Sequence, residues 1–174
     1  MSYTSESETA RPLLEKYCIG CGIDVGAGGM PIALHSICKD RGEDSPIRAH
    51  VGSGPTHLVG DAADLRWFKD GSLDHVASSH TLEDFLDTEA ILREWIRVLR
   101  IGGNLVLFLP DEQVYRAHCA RTGQPYNQAH VHADFSLEFV RRILAKIGQT
   151  EEVEAIWPFP GNAYSFALVV RRTK

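Results

Sequence analysis

The chain has 174 residues, enough for one domain with a full core, since a domain of about 150 residues buries roughly 70% of its unfolded surface. Its composition, 44% hydrophobic and 24% charged, is typical of soluble globular proteins, and its net charge of −5 argues against a basic nucleic-acid-binding face. No apolar run approaches the roughly 20 residues that span a bilayer. The polar lead-in, residues 1–11, resembles neither a signal peptide nor a transit peptide. We therefore expect one cytoplasmic domain, residues 1–174, that binds neither nucleic acid nor membrane.

Apolar runs alternate with helical patterns along most of the chain, which predicts an α/β fold. The clearest helix covers residues 87–100, and a second follows Ser136 over residues 137–147 and ends at Gly148. A short helix over residues 12–17 is predicted after a partly mobile lead-in, and we expect it to cover the ligand site described below. The predicted strands are residues 21–26, 32–39, 56–60, 73–79 and 104–109, with a loop over residues 41–55.

The last part of the chain has a different pattern. Residues 151–157 and 163–171 are predicted strands, and the Pro- and Gly-rich linker between them is typical of a hairpin. Alternating strands and helices followed by a hairpin predict a doubly wound, mostly parallel Rossmann-like sheet with an antiparallel edge.

A glycine-rich turn follows the first predicted strand, in the stretch Gly22-Ile-Asp-Val-Gly-Ala-Gly-Gly-Met30. Glycine has no Cβ and tolerates positive φ, so the backbone of such a turn can come close to a ligand. In an open parallel sheet, ligands bind beyond the carboxyl ends of the strands. The turn therefore predicts a site for a nucleotide-like cofactor.

Two further acids fall at the predicted carboxyl ends of strands. Asp40 follows the second strand, where a carboxylate can accept hydrogen bonds from both ribose hydroxyls. Asp61 follows the third, and Asp61 with Ala62 offers a carboxylate and a backbone N–H to an adenine edge. The set fits an adenosine group.

These residues, with three later motifs, resemble the class I S-adenosylmethionine-dependent methyltransferases, and more narrowly their short bacterial UbiE-like branch. The resemblance extends over residues 19–111 in order and spacing. It implies a seven-stranded sheet with a reversed last strand and S-adenosylmethionine as cofactor. The later motifs are Gly60-Asp-Ala-Ala-Asp-Leu65 with Asp70-Gly-Ser-Leu-Asp74, Ser78-Ser-His-Thr-Leu-Glu-Asp84, and the stretch from Trp95 through Ile101-Gly-Gly to Pro110.

The resemblance also implies roles for single residues. Asp24 orders the loop or approaches the methionine amino group, Asp40 binds the ribose, and Ser78 to His80 line the cleft beside the methyl group. The predicted cofactor-binding residues are Asp24, Gly26, Ala27, Gly28, Asp40, Asp61, Ala62, Ser78 and Ser79.

Two departures from the family pattern affect this prediction. Met30 stands where many relatives have the last glycine of the turn. The segment between the turn and Asp40 is too short for a full helix, so Glu43 or Asp44 is an alternative ribose partner.

His80 is the predicted catalytic residue, acting as a general base on a hydroxyl or amine acceptor. The alternative is a structural histidine that holds the next helix, together with Glu83. Residues 111–134 are predicted to select the acceptor, because long loops in compact domains are often functional. Its predicted substrate-binding residues are Asp111, Tyr115, Tyr126 and His130.

No metal site is predicted. His130 and His132 alone make a weak zinc site. Cys18 and Cys21 have the spacing of a CxxC motif but no second ligand pair, which favours reduced structural thiols.

The predicted function is methyl transfer from S-adenosylmethionine to an oxygen or nitrogen atom of a small molecule. The alternative is a non-catalytic S-adenosylmethionine-binding or partner protein that has retained the fold. A homodimer could complete the cleft of so small a domain.

Overall fold

The computed structural model describes residues 5–28, 30–41 and 56–174, and within them one seven-stranded sheet forms the centre of the molecule. The strands are β1 (Gly22–Val25), β2 (Ile37–Asp40), β3 (Leu58–Val59), β4 (Leu73–Ser79), β5 (Leu99–Pro110), β6 (Thr150–Ile156) and β7 (Ser165–Arg172). Their order is β3-β2-β1-β4-β5-β7-β6. The first five strands are parallel, whereas β7 is antiparallel to β5 and β6. The predicted fold class is confirmed.

Helices cover both faces of the sheet, which explains the nearly continuous apolar sequence of its central strands. The described α-helices are α1 (Glu6–Leu14), α2 (Thr88–Val98), α3 (Glu112–Thr122) and α4 (Leu137–Ile147). Buried side chains of α2 and α4 belong to the larger core cluster, whereas those of α1 belong to the smaller one. No helix of the described chain is long and apolar enough to cross a membrane.

Strand β5 shows how the two clusters are separated. Leu105 and Leu107 belong to the larger cluster, and Val106 and Phe108, between and after them, belong to the smaller. Successive side chains of a strand point to opposite faces. Because all four are fully buried, β5 is covered on both sides.

The N-terminal segment differs from its prediction. Residues 6–14 are helical, and Glu15–Tyr17 add one 3-10 turn. Ser5 begins the helix with a capping box: its side chain accepts a hydrogen bond from the Glu8 N–H, and the Glu8 carboxylate accepts one from the Ser5 N–H. This reciprocal pair satisfies two backbone donors that a helix start leaves free. The helix therefore begins six residues before the predicted start at residue 12, within the segment expected to be a lead-in.

Two strand boundaries also differ from the prediction. Residues 32–36 form turns, so β2 begins only at Ile37. Residues 99 and 100, predicted to be helical, belong to β5, which begins directly after α2 and also contains residues 101–103. Gly102 has φ 82°, a conformation that glycine adopts without steric cost, so the chain can turn there and remain in the strand.

The C-terminal hairpin is present, but only one of its strands lies at the edge. β7 is inserted between β5 and β6, pairing with both, and β6 is the outer strand. The buried residues of β7 therefore belong to the core of the whole sheet.

Candidate active site

The glycine turn leaves the carboxyl end of β1 and packs tightly against its neighbours. Gly26 has φ 70°, and its N–H donates to the Lys39 carbonyl at 2.9 Å. A Cβ at Gly26 would lie 2.0 Å from Oγ1 of Thr81, so only glycine fits. The Met30 N–H donates to the Ala27 carbonyl at 2.8 Å, which closes the turn.

Asp24 lies below this turn and is fully buried. Its Oδ2 accepts a hydrogen bond from the Ile32 N–H at 2.7 Å, tying β1 to the chain beyond the turn. Among the described residues, Oδ1 has no partner. Burial raises the pKa of Asp24 to about 7, although the Ile32 bond and Arg11 oppose the shift. Its observed contact is with the loop, which is one of the two roles that the resemblance implied.

The predicted ribose residue, Asp40, is the last residue of β2, and the predicted adenine residues, Asp61 and Ala62, follow β3. Oδ2 of Asp40 accepts a hydrogen bond from the Gly28 N–H at 2.7 Å. Oδ1 of Asp61 accepts one from the Ala63 N–H at 2.9 Å, and the Ala62 carbonyl accepts one from Trp95 Nε1 at 2.8 Å. Glu43 and Asp44, the alternative ribose partners, lie outside the described residues.

A cavity of about 620 Å³ lies over these strand ends. It is lined by Gly26, Ala27, Gly28, Asp40, Ala62, Ser79, His80, Tyr115, Tyr126 and His130, all predicted site residues, and by Ser5, Glu6, Ser7, Met30, Arg41, Gly60, Thr81, Asp84, Phe85, Pro125 and residues 127–129. Four predicted site residues do not line it: Asp24, Asp61, Ser78 and Asp111. Ser78 donates to the Val25 carbonyl at 3.0 Å, and Asp111 caps α3 by accepting from the Val114 N–H at 3.2 Å.

His80 is the first residue after β4 and forms part of the cavity wall. Its φ is 47°, unusual for a residue with a Cβ, and its N–H donates to the Phe108 carbonyl. In the ring, Nε2 lies 2.9 Å from Ser165 Oγ, and Nδ1 lies 3.6 Å from a Glu6 oxygen and 3.7 Å from Glu83 Oε1. Burial lowers the pKa of His80, and the charge of Glu6 opposes this shift.

The opposite end of the cavity is built by α3 and the segment after it. The rings of Tyr115, Tyr126 and His130 lie together, with centroids 5.1 to 5.7 Å apart. Glu112, fully buried, holds this group: it accepts hydrogen bonds from the Tyr126 hydroxyl and from Arg116 Nε, and its Oε2 lies 2.8 Å from His130 Nδ1. Burial is the largest single effect and raises the pKa of Glu112, but the hydrogen bonds from Tyr126, His130 and Arg116, together with the electrostatic effect of His130, outweigh it and lower the pKa.

Two more carboxylates lie beside His130. Glu83 is 1% exposed, and its Oε1 is 3.6 Å from His130 Nε2. Glu83 Oε2 and Asp84 Oδ1 are buried and have no hydrogen-bond partner within the described ranges. Burial is the main cause that raises the pKa of both carboxyls, opposed at Asp84 by His130 and Arg41.

Neither of the two short motifs, His130 with His132 and Cys18 with Cys21, forms a ligand pair in the folded chain. His132 Nε2 contacts the Phe85 carbonyl at 2.8 Å and Thr88 Oγ1 at 3.0 Å, away from the group around His130. All four cysteines are free. Cys18 is buried, which raises its pKa. Cys21 was predicted to be the first residue of a buried strand, but it is exposed.

Comparison with known families identifies the family of the chain. Residues 7–107, more than half of the chain, match the family model described as a methyltransferase domain. The chain belongs to this family. It is an enzyme of the class I S-adenosylmethionine-dependent methyltransferases, with S-adenosylmethionine as cofactor. The narrower UbiE-like branch stays a prediction. A search of curated proteins gave no significant match.

Solved structures share the methyltransferase's fold. An S-adenosylmethionine-dependent methyltransferase of Thermotoga maritima, a possible histamine N-methyltransferase, is 22% identical with TM-score 0.71, over 97% of this chain and 88% of that one. A methyltransferase of Haloferax volcanii, solved with the activator Trm112, is 18% identical with TM-score 0.68, over 97% and 89%. One from Archaeoglobus fulgidus is 16% identical with TM-score 0.66, over 90% and 89%.

The methyltransferase's cavity fits its cofactor. Its volume lies within the roughly 300–1,000 Å³ of ligand pockets. A Cβ built on Gly28 would meet no heavy atom within 4 Å, so there is open space beside the turn at this residue. Asp40, also in the lining, supplies an oxygen acceptor within reach of that backbone.

Several lining residues of the methyltransferase were not predicted from its sequence. Ser5, Glu6 and Ser7 begin α1, and the Ser-x-x-Glu pattern at residues 5–8 is the signal that could have revealed this helix start. Asp84 belongs to the Ser78–Asp84 motif, but no pattern in the sequence indicates that it faces His130 from a distant segment.

Proposed function

We propose that this methyltransferase, working as a single domain, transfers the methyl group to an oxygen or nitrogen atom of a small-molecule acceptor. One observation carries the proposal. A single cavity joins Gly28 and Asp40 at one end to Tyr115, Tyr126 and His130 at the other. Cofactor and acceptor can therefore occupy one continuous space, as an in-line transfer requires.

At the cofactor end, the glycine turn lets the backbone approach the methionine part, and Asp40 accepts hydrogen bonds from the ribose. Ala62 faces the adenine. Asp61 acts indirectly, because its hydrogen bond to the Ala63 N–H holds the loop that carries Ala62. The bound cofactor supplies an activated sulfonium methyl group, so the chain needs to align the acceptor and exclude water.

His80 takes the acceptor's proton at Nδ1 in this proposal. Nε2–H donates to Ser165 Oγ, which fixes the ring and its tautomer. The lowered pKa keeps the imidazole neutral and able to accept. The carboxylate of Glu6, 3.6 Å from Nδ1, stabilises the imidazolium that forms.

The acceptor end favours a small polar molecule with an aromatic or cationic part. Tyr115 and Tyr126 offer ring faces, and Glu6 and Asp84 add carboxylates to the lining. The Thermotoga maritima protein, a possible histamine N-methyltransferase, is consistent with a nitrogen acceptor. Asp111 contributes by capping the helix that carries Tyr115 rather than by contact.

Two measurements test the proposal. Calorimetry should detect binding of S-adenosylmethionine and its demethylated product, but not of NAD. Release of the demethylated product is then followed with a panel of small amines, phenols and alcohols. The control is Asp40→Ala, a variant that should bind the cofactor poorly and release no product. Cofactor binding without turnover on any acceptor that binds would contradict the transferase assignment to small molecules.

The homodimer and the cytoplasmic location stay predictions. Sedimentation equilibrium with and without the demethylated product measures the first: a mass of one chain in both states would contradict the dimer.

A further inference from the structure

At the acceptor end of the cavity, three ligand-forming side chains converge. One oxygen each of Glu83 and Asp84 and one nitrogen of His130 all lie within 4.8 Å of one another. Glu83 and Asp84 follow β4, whereas His130 lies 46 positions further along the chain, after α3. The Val131 N–H donates to the Glu83 carbonyl at 3.2 Å, which fixes the two segments beside each other.

The orientation of His130 leaves one nitrogen for this cluster. Its Nδ1 lies 2.8 Å from Oε2 of the buried Glu112, whose other oxygen accepts hydrogen bonds from Arg116 and Tyr126, so Oε2 is placed to accept the ring N–H. Nε2 then carries the lone pair and faces Glu83. A histidine that donates one ring N–H to a carboxylate and presents the other nitrogen is the usual arrangement of a metal-ligating imidazole.

The distance between His130 Nε2 and Glu83 Oε1 is more consistent with two ligands of one ion than with a direct hydrogen bond. His130 Nε2 and Glu83 Oε1 are 3.6 Å apart, too far for a hydrogen bond. Two ligands that are each about 2.1 Å from one ion are separated by about 3.6 Å when the angle at the ion is about 118°, between the tetrahedral and trigonal values.

Unpaired oxygens provide an independent sign of a missing cation. Glu83 is 1% exposed, yet its Oε2 accepts no hydrogen bond from any described residue, and neither does Asp84 Oδ1. Buried polar atoms in native proteins nearly always have a partner. Arg41 and His80 are the nearby basic groups, but Arg41 acts on Asp84 only at longer range, and His80 Nδ1 is 3.7 Å from Glu83.

We propose that Glu83, Asp84 and His130 bind one divalent transition-metal cation of the Mn²⁺ or Zn²⁺ class at the acceptor end of the cavity. Two carboxylates and one imidazole suit these ions better than Ca²⁺, which prefers six to eight oxygens. Asp84 and His130 line the cavity, so the open side of the ion faces the space where an acceptor oxygen or water completes its coordination. The sequence indicated no metal, because its two visible pairs, His130 with His132 and Cys18 with Cys21, each lacked further ligands.

The test is Mn²⁺ binding to the full chain, followed by electron paramagnetic resonance and calorimetry without cofactor or acceptor. We expect one ion per chain, and at least about tenfold weaker binding in each of Glu83→Gln, Asp84→Asn and His130→Asn. Glu138→Gln and Asp134→Asn, at side chains 73% and 68% exposed, are the matched controls and should bind as the wild type does.

A thermal melt keeps the test valid if one variant folds poorly. Mn²⁺ should raise the melting temperature of the wild type and both controls, but not of Glu83→Gln or Asp84→Asn. No binding to the wild type at low millimolar Mn²⁺, or equal affinity in wild type and all three variants, overturns the proposal. Neither result depends on methyl transfer, so the metal site and the proposed function can fail separately.

Discussion

At the scale of single residues, burial shifts the pKa of one group in the cavity wall, His80, and of one group below the glycine turn, Asp24. His80 and Asp24 lie at the ends of adjacent strands, and their environments shift their pKa values in opposite directions, downward for His80 and upward for Asp24. Both shifts have the same physical cause, since a buried site disfavours the charged form of either group. Each therefore leads to a different prediction.

His80→Gln should lower kcat by about 10²- to 10⁴-fold while leaving the affinity for the demethylated cofactor within about twofold. The amide can still reach Ser165 but cannot take a proton. Steady-state kinetics with an identified acceptor and calorimetry measure the two quantities. Ser165→Ala, which removes the ring's hydrogen bond but not the ring, is the control and should cost less in kcat. Near-normal turnover of His80→Gln would leave His80 with a structural role only.

Asp24→Asn should make stability less dependent on pH between about 4 and 7. In this range the unfolded chain has ionised its aspartate, whereas the folded chain, with a pKa of about 7, keeps the proton. The folded state binds more protons, so stability falls as pH rises, on the order of 1.4 kcal/mol per pH unit from this group. Urea unfolding at several pH values measures the slope. The same slope in Asp24→Asn and in the exposed control Asp134→Asn would contradict the shift.

At the scale of elements, α1 links stability to the cofactor site. Its first turn contributes Ser5, Glu6 and Ser7 to the cavity, and its buried Ala10 and Leu14 belong to the core. The capping box at Ser5 and Glu8 decides where the helix begins. One short pattern in the sequence thus determines whether part of the cavity wall is ordered.

Glu8→Ala should cost about 0.5–1 kcal/mol of stability and weaken cofactor binding by up to about fivefold, because the first turn of α1 would fray. Glu8 itself is not part of the cavity lining. Ser136→Ala, which removes the cap of α4 and its bond to the Phe139 N–H, is a matched control outside that lining. It should cost similar stability without changing cofactor affinity. Equal affinities for both variants would show that α1 does not order the site.

At the scale of the whole molecule, the reversed strand β7 holds the two cores together. Leu168 belongs to the larger core cluster, and its neighbours Ala167 and Val169 belong to the smaller. Arg172, at the end of β7, donates to the carbonyls of Ile96 and Arg97 at 3.1 and 2.9 Å. The last strand of the chain therefore stabilises the end of α2.

Leu168→Ala should destabilise the protein by about 2–5 kcal/mol, as expected for a fully buried leucine that leaves a cavity. Leu86→Ala, at a side chain 80% exposed, should stay within about 0.5 kcal/mol of the wild type. Urea unfolding measures both. If Leu168→Ala loses little stability, β7 contributes to the protein only as a peripheral strand at the edge of a sheet does.

The sequence by itself determined the parallel sheet, the glycine turn and the helix α4, because each depends on local pattern. Strand β4 and helix α4 have the predicted boundaries, since strong periodicity and a Ser cap with a Gly stop define them within a few residues. Only glycine fits at position 26, because its φ is positive and Thr81 lies too close for a Cβ. The turn pattern in the sequence indicated the positive φ but not the contact with Thr81.

Only the tertiary structure decided which of the predicted acids face the cavity and which support it. Asp40 lines the cavity, whereas Asp24, Asp61 and Asp111 each bind a nearby backbone N–H. The convergence of Glu83 and Asp84 on His130 was likewise invisible in the sequence, because it depends on the segment after β4 lying beside the segment after α3. Local pattern specifies strands and turns, but the direction of a side chain beyond them depends on packing between distant segments.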